Sequence, residues 1–280
     1  MEPYESVSLI ATTYNQPADL DLYLRSLKQQ TYAAFEIVIA DDGSGEETRR
    51  VIAHHQREWA GPRLKHVWHE DQGYRKAKIV NEAVRQSSGQ WLVFTDSDHL
   101  VHPQFVADHV SQRGTNRLFM GRRVDLTQPV SDWIRKNPVR LFKPGFYLRI
   151  LSVRGANRTL RIAWTPLARA LGAFRVPDLL GSNFSIARDL LFRVNGFDES
   201  NEHYWGEDGD LYARVSHVGA EIYGRKMFAV QLHLWHPLRK PKPDAEVGYR
   251  NRLADPHYQF CKIGLQVKSG AVDSSDIQKA

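Results

Sequence analysis

The sequence has almost no cysteine and no long hydrophobic run. Its 280 residues include one cysteine, Cys261, which excludes an internal disulfide and a metal cluster built on thiolates. A reducing compartment is therefore expected. No stretch reaches the roughly 18 apolar residues expected of a membrane-spanning helix, and a strand pattern begins soon after Met1 without a leader peptide. These absences predict a cytoplasmic location.

Two common nucleotide-binding motifs are also missing. The first predicted strand is not followed by Gly-x-Gly-x-x-Gly, which argues against a dinucleotide-dependent dehydrogenase. No P-loop sequence is present either. Any phosphate bound by this chain would have to be met by a metal ion and by basic side chains such as Arg75 and Lys78. Solvation on a helix surface is the commoner fate of such side chains.

The overall composition is that of a folded protein, but the charge is distributed unevenly. Hydrophobic residues make up 42% and charged residues 25% of the chain, as is usual for globular proteins. Residues 121–180 carry twelve Lys or Arg and three Asp, whereas the net charge of the whole chain is +6. This proline-interrupted segment predicts a basic insertion that grips an anionic acceptor or rests on an anionic membrane surface. A surface segment whose charges serve only to keep the protein soluble would have the same composition.

Strand-like and helix-like patterns alternate in the first half of the chain. Apolar runs predict strands at 7–11, 35–40, 64–68 and 91–95, and helical spacing of apolar residues follows each of them. Such alternation predicts an α/β fold with a mostly parallel central sheet flanked by helices. We expect one domain made of four parts: a nucleotide-sugar-binding half (1–121), the basic insertion (122–180), an acceptor or catalytic half (181–240), and a peripheral helix and tail (241–280).

Polar side chains follow three of these strands at the point where each strand ends. They are Thr12 and Tyr14 after the first strand, Asp41 and Asp42 after the second, and Asp96 and Asp98 after the fourth. Polar residues that follow parallel strands lie together at one edge of the sheet, where α/β proteins bind ligands. Carboxylates placed there suit a hard divalent cation held between the protein and a diphosphate. The Asp-x-Asp triplet alone is a weak motif, since a capping Asp96 and a solvated Asp98 would give the same pattern.

The second half adds two carboxylates and two late histidines. Glu207 and Asp208 begin a predicted helix, where the helix dipole favours acidic residues, so capping is an alternative role for Asp208. His233 and His236 lie near the end of the predicted core. Paired imidazoles are frequent metal ligands as well as ordinary polar residues.

Seven motifs in this order resemble family 2 nucleotide-sugar glycosyltransferases of the GT-A fold. They are Thr-Tyr-Asn, Asp-Asp-Gly-Ser, Asp-Gln-Gly-Tyr-Arg, Asp-Ser-Asp, Gly-Ser-Asn-Phe-Ser, Trp-Gly-Glu-Asp and a late His. The second half is similar to the galactosyltransferase-type segment of bacterial chondroitin polymerases. The resemblance covers roughly residues 6–240 apart from the insertion. One departure is that the family usually has two glycines in Trp-Gly-Gly-Glu-Asp, where this chain has one, Gly206.

The resemblance implies a role for each matching residue. The implied nucleotide-sugar-binding residues are Thr12, Tyr14 and Asp42 at the base, Asp41 beside them, Arg75 near the diphosphate, Asp96 at the ribose, and Asn183. Lys78, proposed above as a cation for phosphate, is added to this set. The implied ligands of Mn²⁺ or Mg²⁺ are Asp98, His236 and, ranked second, His233. The implied catalytic and acceptor-binding residues are Asp208 as the base, Glu207 as its acceptor-orienting neighbour, and Trp205.

The expected activity is a metal-dependent, inverting transfer of a hexose from a UDP-sugar to a saccharide or lipid-linked saccharide in surface glycan synthesis. Work on such an acceptor would take place at the cytoplasmic membrane face. One alternative is a non-catalytic nucleotide-sugar sensor on the same scaffold, which the intact Glu207-Asp208 pair disfavours. Another is a basic nucleic-acid-binding protein, but its cations should line a groove with stacking aromatics. No nucleic-acid partner is therefore expected.

Overall fold

A seven-stranded sheet forms the centre of the structure. The computed structural model describes residues 6–59, 63–147, 181–202, 204, 206–225, 228–237, 252 and 254–266. The ten strands in this part of the chain are β1 (Val7–Thr13), β2 (Phe35–Asp41), β3 (Leu64–Trp68), β4 (Trp91–Asp96), β5 (His99–Val101), β6 (Arg117–Met120), β7 (Arg122–Asp125), β8 (Asn183–Ala187), β9 (Glu221–Gly224) and β10 (Val230–His233). The large sheet has the order β3-β2-β1-β4-β8-β6-β9, and β5, β10 and β7 form a smaller sheet.

The large sheet is mostly parallel, as the alternating pattern predicts. Strands β1 to β4 pair in parallel, and β8 runs antiparallel to both β4 and β6. In the β1–β4 ladder Thr12 is the partner of Asp96. The polar groups that follow these two strands therefore begin at the same level of one sheet edge.

Seven α-helices bounded within the described residues flank the sheets. They are α1 (Pro17–Leu27), α2 (Glu46–Glu58), α3 (Lys76–Gln86), α4 (Phe105–Val110), α5 (Gln128–Lys136), α6 (Arg188–Arg193) and α7 (Glu207–His217). The predicted helical spacing at the start of the chain is confirmed, because Leu20, Leu24 and Leu27 are all buried in α1. None of the helices in the described part has both the length and the apolar character needed to cross a bilayer.

The core lies on both faces of the strands that end at the site. Every residue of β4 from Trp91 to Phe94 is at most 3% exposed, and Phe94 stacks on Phe184 of β8 with ring centroids 4.7 Å apart. Burying one large apolar side chain stabilises a fold by about 1.5–3 kcal/mol. Apolar packing therefore fixes the position of the end of β4 independently of its polar contacts.

The smaller sheet is built partly from the segment predicted as a basic insertion. Strand β7 pairs in parallel with β10, and Val130 and Ile134 of α5 pack in a second core with Leu232. Residues 122–136 therefore form part of the smaller sheet and its core, and Leu141 and Phe146 are buried in the same core. The rest of the predicted insertion, 148–180, lies outside the described residues.

The described part of the predicted tail packs on both halves of the chain. Cys261 is buried, as expected for a packing cysteine, and the guanidinium of Arg85 donates to the carbonyls of Gly264 and Leu265. Tyr258 Oη donates to Asp210 Oδ1 of α7 over 2.9 Å. The chain around 254–266 therefore braces α7, the helix that begins with the predicted catalytic pair.

Two Arg–carboxylate pairs are spaced four residues apart, one buried in α7 and one exposed in α2. Comparing them tests how much the buried pair contributes to stability. Arg214 and Asp210 are at most 1% exposed, and Arg214 also donates to the carbonyls of Val194 and Gly196. Arg50 and Glu46 are 74% and 62% exposed. We expect Arg214→Met to lower the free energy of unfolding by about 3–5 kcal/mol, because it leaves a buried carboxylate without its main cation.

Urea denaturation at pH 7 measures this difference, and Arg50→Met is the matched control. Its effect should stay below about 0.5 kcal/mol, since exposed ion pairs contribute little. Equal losses in the two variants would contradict the structural role assigned to Arg214.

Candidate active site

A cavity of about 490 Å³ opens where β1 and β4 end. Seven of the residues predicted from the sequence line it: Thr12, Tyr14, Asp42, Asp96, Asp98, His233 and His236. Residues from both halves of the chain therefore meet in one cavity. Further lining residues that the sequence did not indicate include Tyr74, Lys76, His99, Arg123 and Tyr204.

Three predicted metal ligands converge at one side of this cavity. Asp98 Oδ2 lies 3.3 Å from His236 Nε2 and 3.6 Å from His233 Nε2, and the two Nε2 atoms are 3.0 Å apart. Ligands about 2.1 Å from one cation are separated by roughly 3.0–3.4 Å. The carboxylate and the two imidazoles thus fit a divalent cation in both spacing and ligand type.

Neighbouring side chains orient these three ligands. His233 Nδ1 hydrogen-bonds Asp125 Oδ1 at 3.1 Å, which leaves Nε2 facing Asp98. The ring of His99 stacks on that of His233 with centroids 4.7 Å apart, and His99 Nδ1 lies 2.6 Å from Asp98 Oδ1. A carboxylate behind a ligating histidine is a common support of metal sites, because it fixes the ring and its tautomer.

The same contacts set the protonation of the cluster. Burial alone would raise the pKa of Asp98, but the adjacent His99, His233 and His236 hold it well below its usual value. Burial alone would lower the pKa of His233, but its bonds to Asp125 and Asp98 raise it to about 9. A cation bound here would therefore compete with protons on the imidazoles.

A second group of ligand-type atoms lies beside the first. Asp96, Asp98 and His99 also bring such atoms within 4.8 Å of one another. In that group, however, Asp96 already accepts a hydrogen bond from Thr12 and forms an ion pair with Lys76. His99 is only 1% exposed. Asp98 with His233 and His236 is the more accessible ligand set.

The predicted catalytic pair begins α7 and adjoins the cavity without lining it. The helix starts after Gly206, whose φ of 98° is in the left-handed region that glycine adopts most easily. Glu207 Oε1 accepts a hydrogen bond from Tyr74 Oη over 2.8 Å and lies 3.6 Å from Lys76 Nζ. The single glycine of this motif therefore provides the turn that directs Glu207 to the cavity wall.

Asp208 is partly buried and packs against Gly181. A Cβ placed on Gly181 would lie 1.8 Å from the carboxyl carbon of Asp208, so a larger residue there would displace the carboxyl group. Burial, followed by the charge of Glu207, raises the pKa of Asp208 to about 7, although Lys76 and the N–H of Gly181 act in the opposite direction. A carboxyl with this pKa exchanges protons readily near neutral pH.

The cavity is also lined by the residues predicted for the nucleotide base. Tyr14 Oη donates to Asp71 Oδ2 over 2.9 Å. Asp42 accepts hydrogen bonds from His69 Nε2 at 2.7 Å and from the backbone N–H of Arg75 at 3.1 Å. An aromatic ring and a fixed carboxylate are thus presented together to the cavity.

Four predicted donor-binding residues do not line the cavity. Asp41 is fully buried and bonds to Ser44 N and His66 Nε2. Asn183 is also fully buried, with its amide bonded to Ala229 O and His109 Nε2. Both side chains are therefore engaged in hydrogen bonds within the protein, and their contact with a donor stays a prediction.

The other two are Arg75 and Lys78. The guanidinium of Arg75 is engaged by Gln72 Oε1 and the carbonyl of Glu70, and on α3 it is Lys76 that faces the cavity. Positions 76 and 78 are separated by about 200° around a helix, so only one of the two lysines points to the site. Trp205, the predicted acceptor-binding residue, lies outside the described residues.

Comparison with known proteins identifies matching families over most of the chain. A model of "Glycosyl transferase family 2" matches residues 8–191, and a model described as "N-terminal domain of galactosyltransferase" matches residues 170–237. Validoxylamine A glucosyltransferase from Streptomyces hygroscopicus subsp. jinggangensis is 40% identical over 219 residues, which is 75% of this chain and 51% of that protein. Chondroitin synthase from Escherichia coli is 25% identical over 269 residues, 87% of this chain and 37% of that protein.

The chain spans about half the length of the validoxylamine A glucosyltransferases that it matches. Among solved structures, GalNAc-T7 with UDP, GalNAc and Mn²⁺ superimposes with a TM-score of 0.63 at 15% identity, covering 90% of this chain and 48% of that one. The mannosyltransferase PcManGT from Pyrobaculum calidifontis, in complex with GDP-Man and Mn²⁺, gives 0.57 at 18% identity, covering 92% and 75%. These likenesses confirm the predicted GT-A fold.

The raised pKa of Asp208 leads to a prediction about stability. Between pH 3.8 and about 7 the folded chain keeps the Asp208 proton that the unfolded chain has lost, so this residue makes stability fall as pH rises. Asp208→Asn removes that effect. We expect the stability of the variant relative to the wild type to rise by about 3 kcal/mol from pH 5 to pH 8, because the wild type loses that much as Asp208 ionises.

Urea unfolding of both proteins at the two pH values measures the gain. Asp132→Asn is the control, because it makes the same substitution at a carboxyl that is 49% exposed. A constant difference between wild type and Asp208→Asn across this range would show that Asp208 ionises normally.

Proposed function

The chain belongs to glycosyl transferase family 2, and we propose that it transfers a sugar from a nucleotide diphosphate donor, with UDP as the nucleotide, to an acceptor hydroxyl with inversion. One observation carries the proposal. A single cavity has the Asp98, His233 and His236 cluster on its wall and reaches Tyr74 and Lys76, which contact Glu207 beside Asp208. An inverting transfer needs a stabilised leaving group and a base on opposite sides of the sugar.

The donor end is formed by the edge of the large sheet. Tyr14 and Asp42 are suited to stacking on and hydrogen-bonding a nucleobase, with Thr12 beside them, and Asp96 is suited to a ribose hydroxyl. Arg123 lies next to the metal-type cluster and lines the cavity, so we assign it the diphosphate contact in place of Arg75 and Lys78.

The cluster supplies the charge that a diphosphate requires. Mn²⁺ or Mg²⁺ held by Asp98, His236 and His233 would neutralise negative charge on the leaving diphosphate. Two imidazoles in the ligand set favour Mn²⁺ over Mg²⁺. The Mn²⁺ named with the GalNAc-T7 and PcManGT structures supports this choice.

The base is assigned to Asp208. Its carboxylate accepts the proton of the acceptor hydroxyl as that oxygen attacks the anomeric carbon, and a pKa of about 7 is close to the optimum for such a transfer near neutral pH. Glu207, held by Tyr74, orients the acceptor. Because the attack is direct, no nucleophilic side chain and no covalent enzyme intermediate are needed.

The relatives support a hexose as the transferred group. Validoxylamine A glucosyltransferase and the two synthases of Pasteurella multocida and Escherichia coli, for hyaluronan and chondroitin, are named for reactions on sugars. We propose a saccharide or lipid-linked saccharide as the acceptor, in surface glycan synthesis at the inner membrane face. Membrane contact through 122–180 remains a prediction, as does acceptor binding by Trp205.

Substitution of the proposed base tests the catalytic assignment. With purified protein, Mn²⁺ and a panel of UDP-, GDP- and TDP-sugars, the wild type should hydrolyse or transfer one donor preferentially. Asp208→Asn should lower kcat by about 10²–10⁴-fold, the usual contribution of a general base, while donor affinity measured by calorimetry stays close to that of the wild type.

Two results would contradict the assignment. Wild-type turnover in Asp208→Asn would exclude it as the base. Tight donor binding by the wild type with no turnover of any donor, with and without oligosaccharide acceptors, would instead favour a nucleotide-sugar sensor on the same scaffold.

The metal assignment is tested by direct binding of Mn²⁺. Titration calorimetry or the manganese EPR signal should show that Asp98→Ala abolishes binding, because the carboxylate is the anionic ligand of the cluster. Asp125→Asn should weaken binding by about 10–100-fold, as expected for a residue that supports a ligating histidine. Asp132→Ala, on the exposed face of α5, is the control, and unchanged affinity in Asp98→Ala would remove this residue from the site.

A further inference from the structure

Lys76 is a cavity-lining cation for which neither the motifs nor the donor chemistry provides a role. It is the first residue of α3, its side chain is 21% exposed, and its Nζ lies 3.1 Å from Asp96 Oδ1. The same Nζ is 3.6 Å from Glu207 Oε1. One ammonium therefore contacts two carboxylates that are far apart in the sequence.

These two carboxylates belong to different halves of the site. Asp96 ends β4 on the donor side, where Thr12 donates a hydrogen bond to it, whereas Glu207 begins α7 on the acceptor side. Tyr74 adds a second link to α7 through its 2.8 Å hydrogen bond to Glu207. The short stretch 74–76 thus connects the end of β4 to the start of the helix that carries the base.

Lys76 also dominates the favourable charge near Asp208. The groups that act on the Asp208 carboxyl are Glu207 on its own helix, Asp96 from β4, and Lys76 from α3, together with the N–H of Gly181. Tyr74 lies in the same neighbourhood, since Asp208 and Lys76 both affect its hydroxyl. Two of these groups are anionic, and Lys76 is the cation that opposes them.

We propose that Lys76 is a positioning residue for the transfer: its ammonium holds the donor-side carboxylate of Asp96 and the acceptor-side carboxylate of Glu207 together and sets a positive charge near Asp208. This inference rests on the proposed function, because it takes Asp208 as the base. The ammonium acts through Asp208 and Glu207 and does not itself exchange a proton. Its own pKa supports this, since burial would lower it but Asp96, Tyr74 and Glu207 raise it well above the usual value.

The charge role makes a prediction that a purely structural ion pair does not. Loss of a structural contact would lower the rate by the same factor at every pH. Loss of the charge would instead raise the pKa of Asp208, because an opposite charge nearby commonly lowers a carboxyl pKa by one unit or more. The structural role and the charge role therefore predict different pH profiles of the reaction rate.

The experiment compares wild type, Lys76→Met and Lys76→Arg by kcat/KM from pH 5.5 to 9.5, with the donor identified in the panel. In Lys76→Met the acidic limb should move by about one pH unit or more toward alkaline pH. The loss at pH 7 should be about fivefold or greater, because a one-unit shift from a pKa of about 7 lowers the ionised fraction of Asp208 by that factor, and it should shrink toward pH 9. Lys76→Arg should keep a limb close to that of the wild type. Lys28→Met, which breaks an ion pair with Glu58 at the protein surface, should change nothing.

A second measurement works without turnover. NMR titration of carboxyl-labelled aspartate, with Asp208→Asn identifying the resonance, should give a higher midpoint for Asp208 in Lys76→Met than in the wild type. Equal midpoints, or a rate loss in Lys76→Met that is the same at every pH, would overturn the inference. A wild type that turns over no donor would contradict the proposed function, whereas the NMR midpoints would still decide whether Lys76 controls the charge of Asp208.

Discussion

The parallel pairing of β1 with β4 is the constraint on which the site depends. It sets Thr12 opposite Asp96, and the apolar residues before them are buried on both faces of the sheet. A shift of this ladder by one residue would reverse the direction of every side chain along β4. Asp96 would then lose Thr12 and Lys76 together, and Asp98 would no longer face the histidines. The polar geometry is thus fixed by apolar packing in the strands that precede it.

Much of the large sheet could be predicted because its strands are continuous apolar runs separated by helical patterns. The smaller sheet could not, since β5, β7 and β10 have three or four residues each. Strand β7, Arg-Arg-Val-Asp, has the composition of a charged loop and forms a strand only because β10 pairs with it. Its strand character is therefore a tertiary effect, which explains why the segment resembled an insertion.

The candidate site was predictable in its carboxylates and histidines, but less so in its cations and amides. Asp98 and His236 belong to recognisable motifs, and the structure brings them together. Lys78 was indicated and Lys76 was not, because the phase of α3 around its axis is set by packing of Ala77, Ile79 and Val80. Asn183 has a motif position, yet its amide is bonded within the core. A sequence pattern predicts which type of polar side chain stands at a position, but not which group that side chain will bond to in the folded protein.

The late position of β10 has a consequence for the order in which this protein is assembled. Asp98 belongs to the first half of the chain, whereas His233 and His236 follow nearly all of the second half. During synthesis the donor-side edge of the sheet can form while the imidazoles are still absent. Any cation affinity that needs all three ligands then arises only when the smaller sheet has closed, so that binding and completion of the fold are thermodynamically coupled.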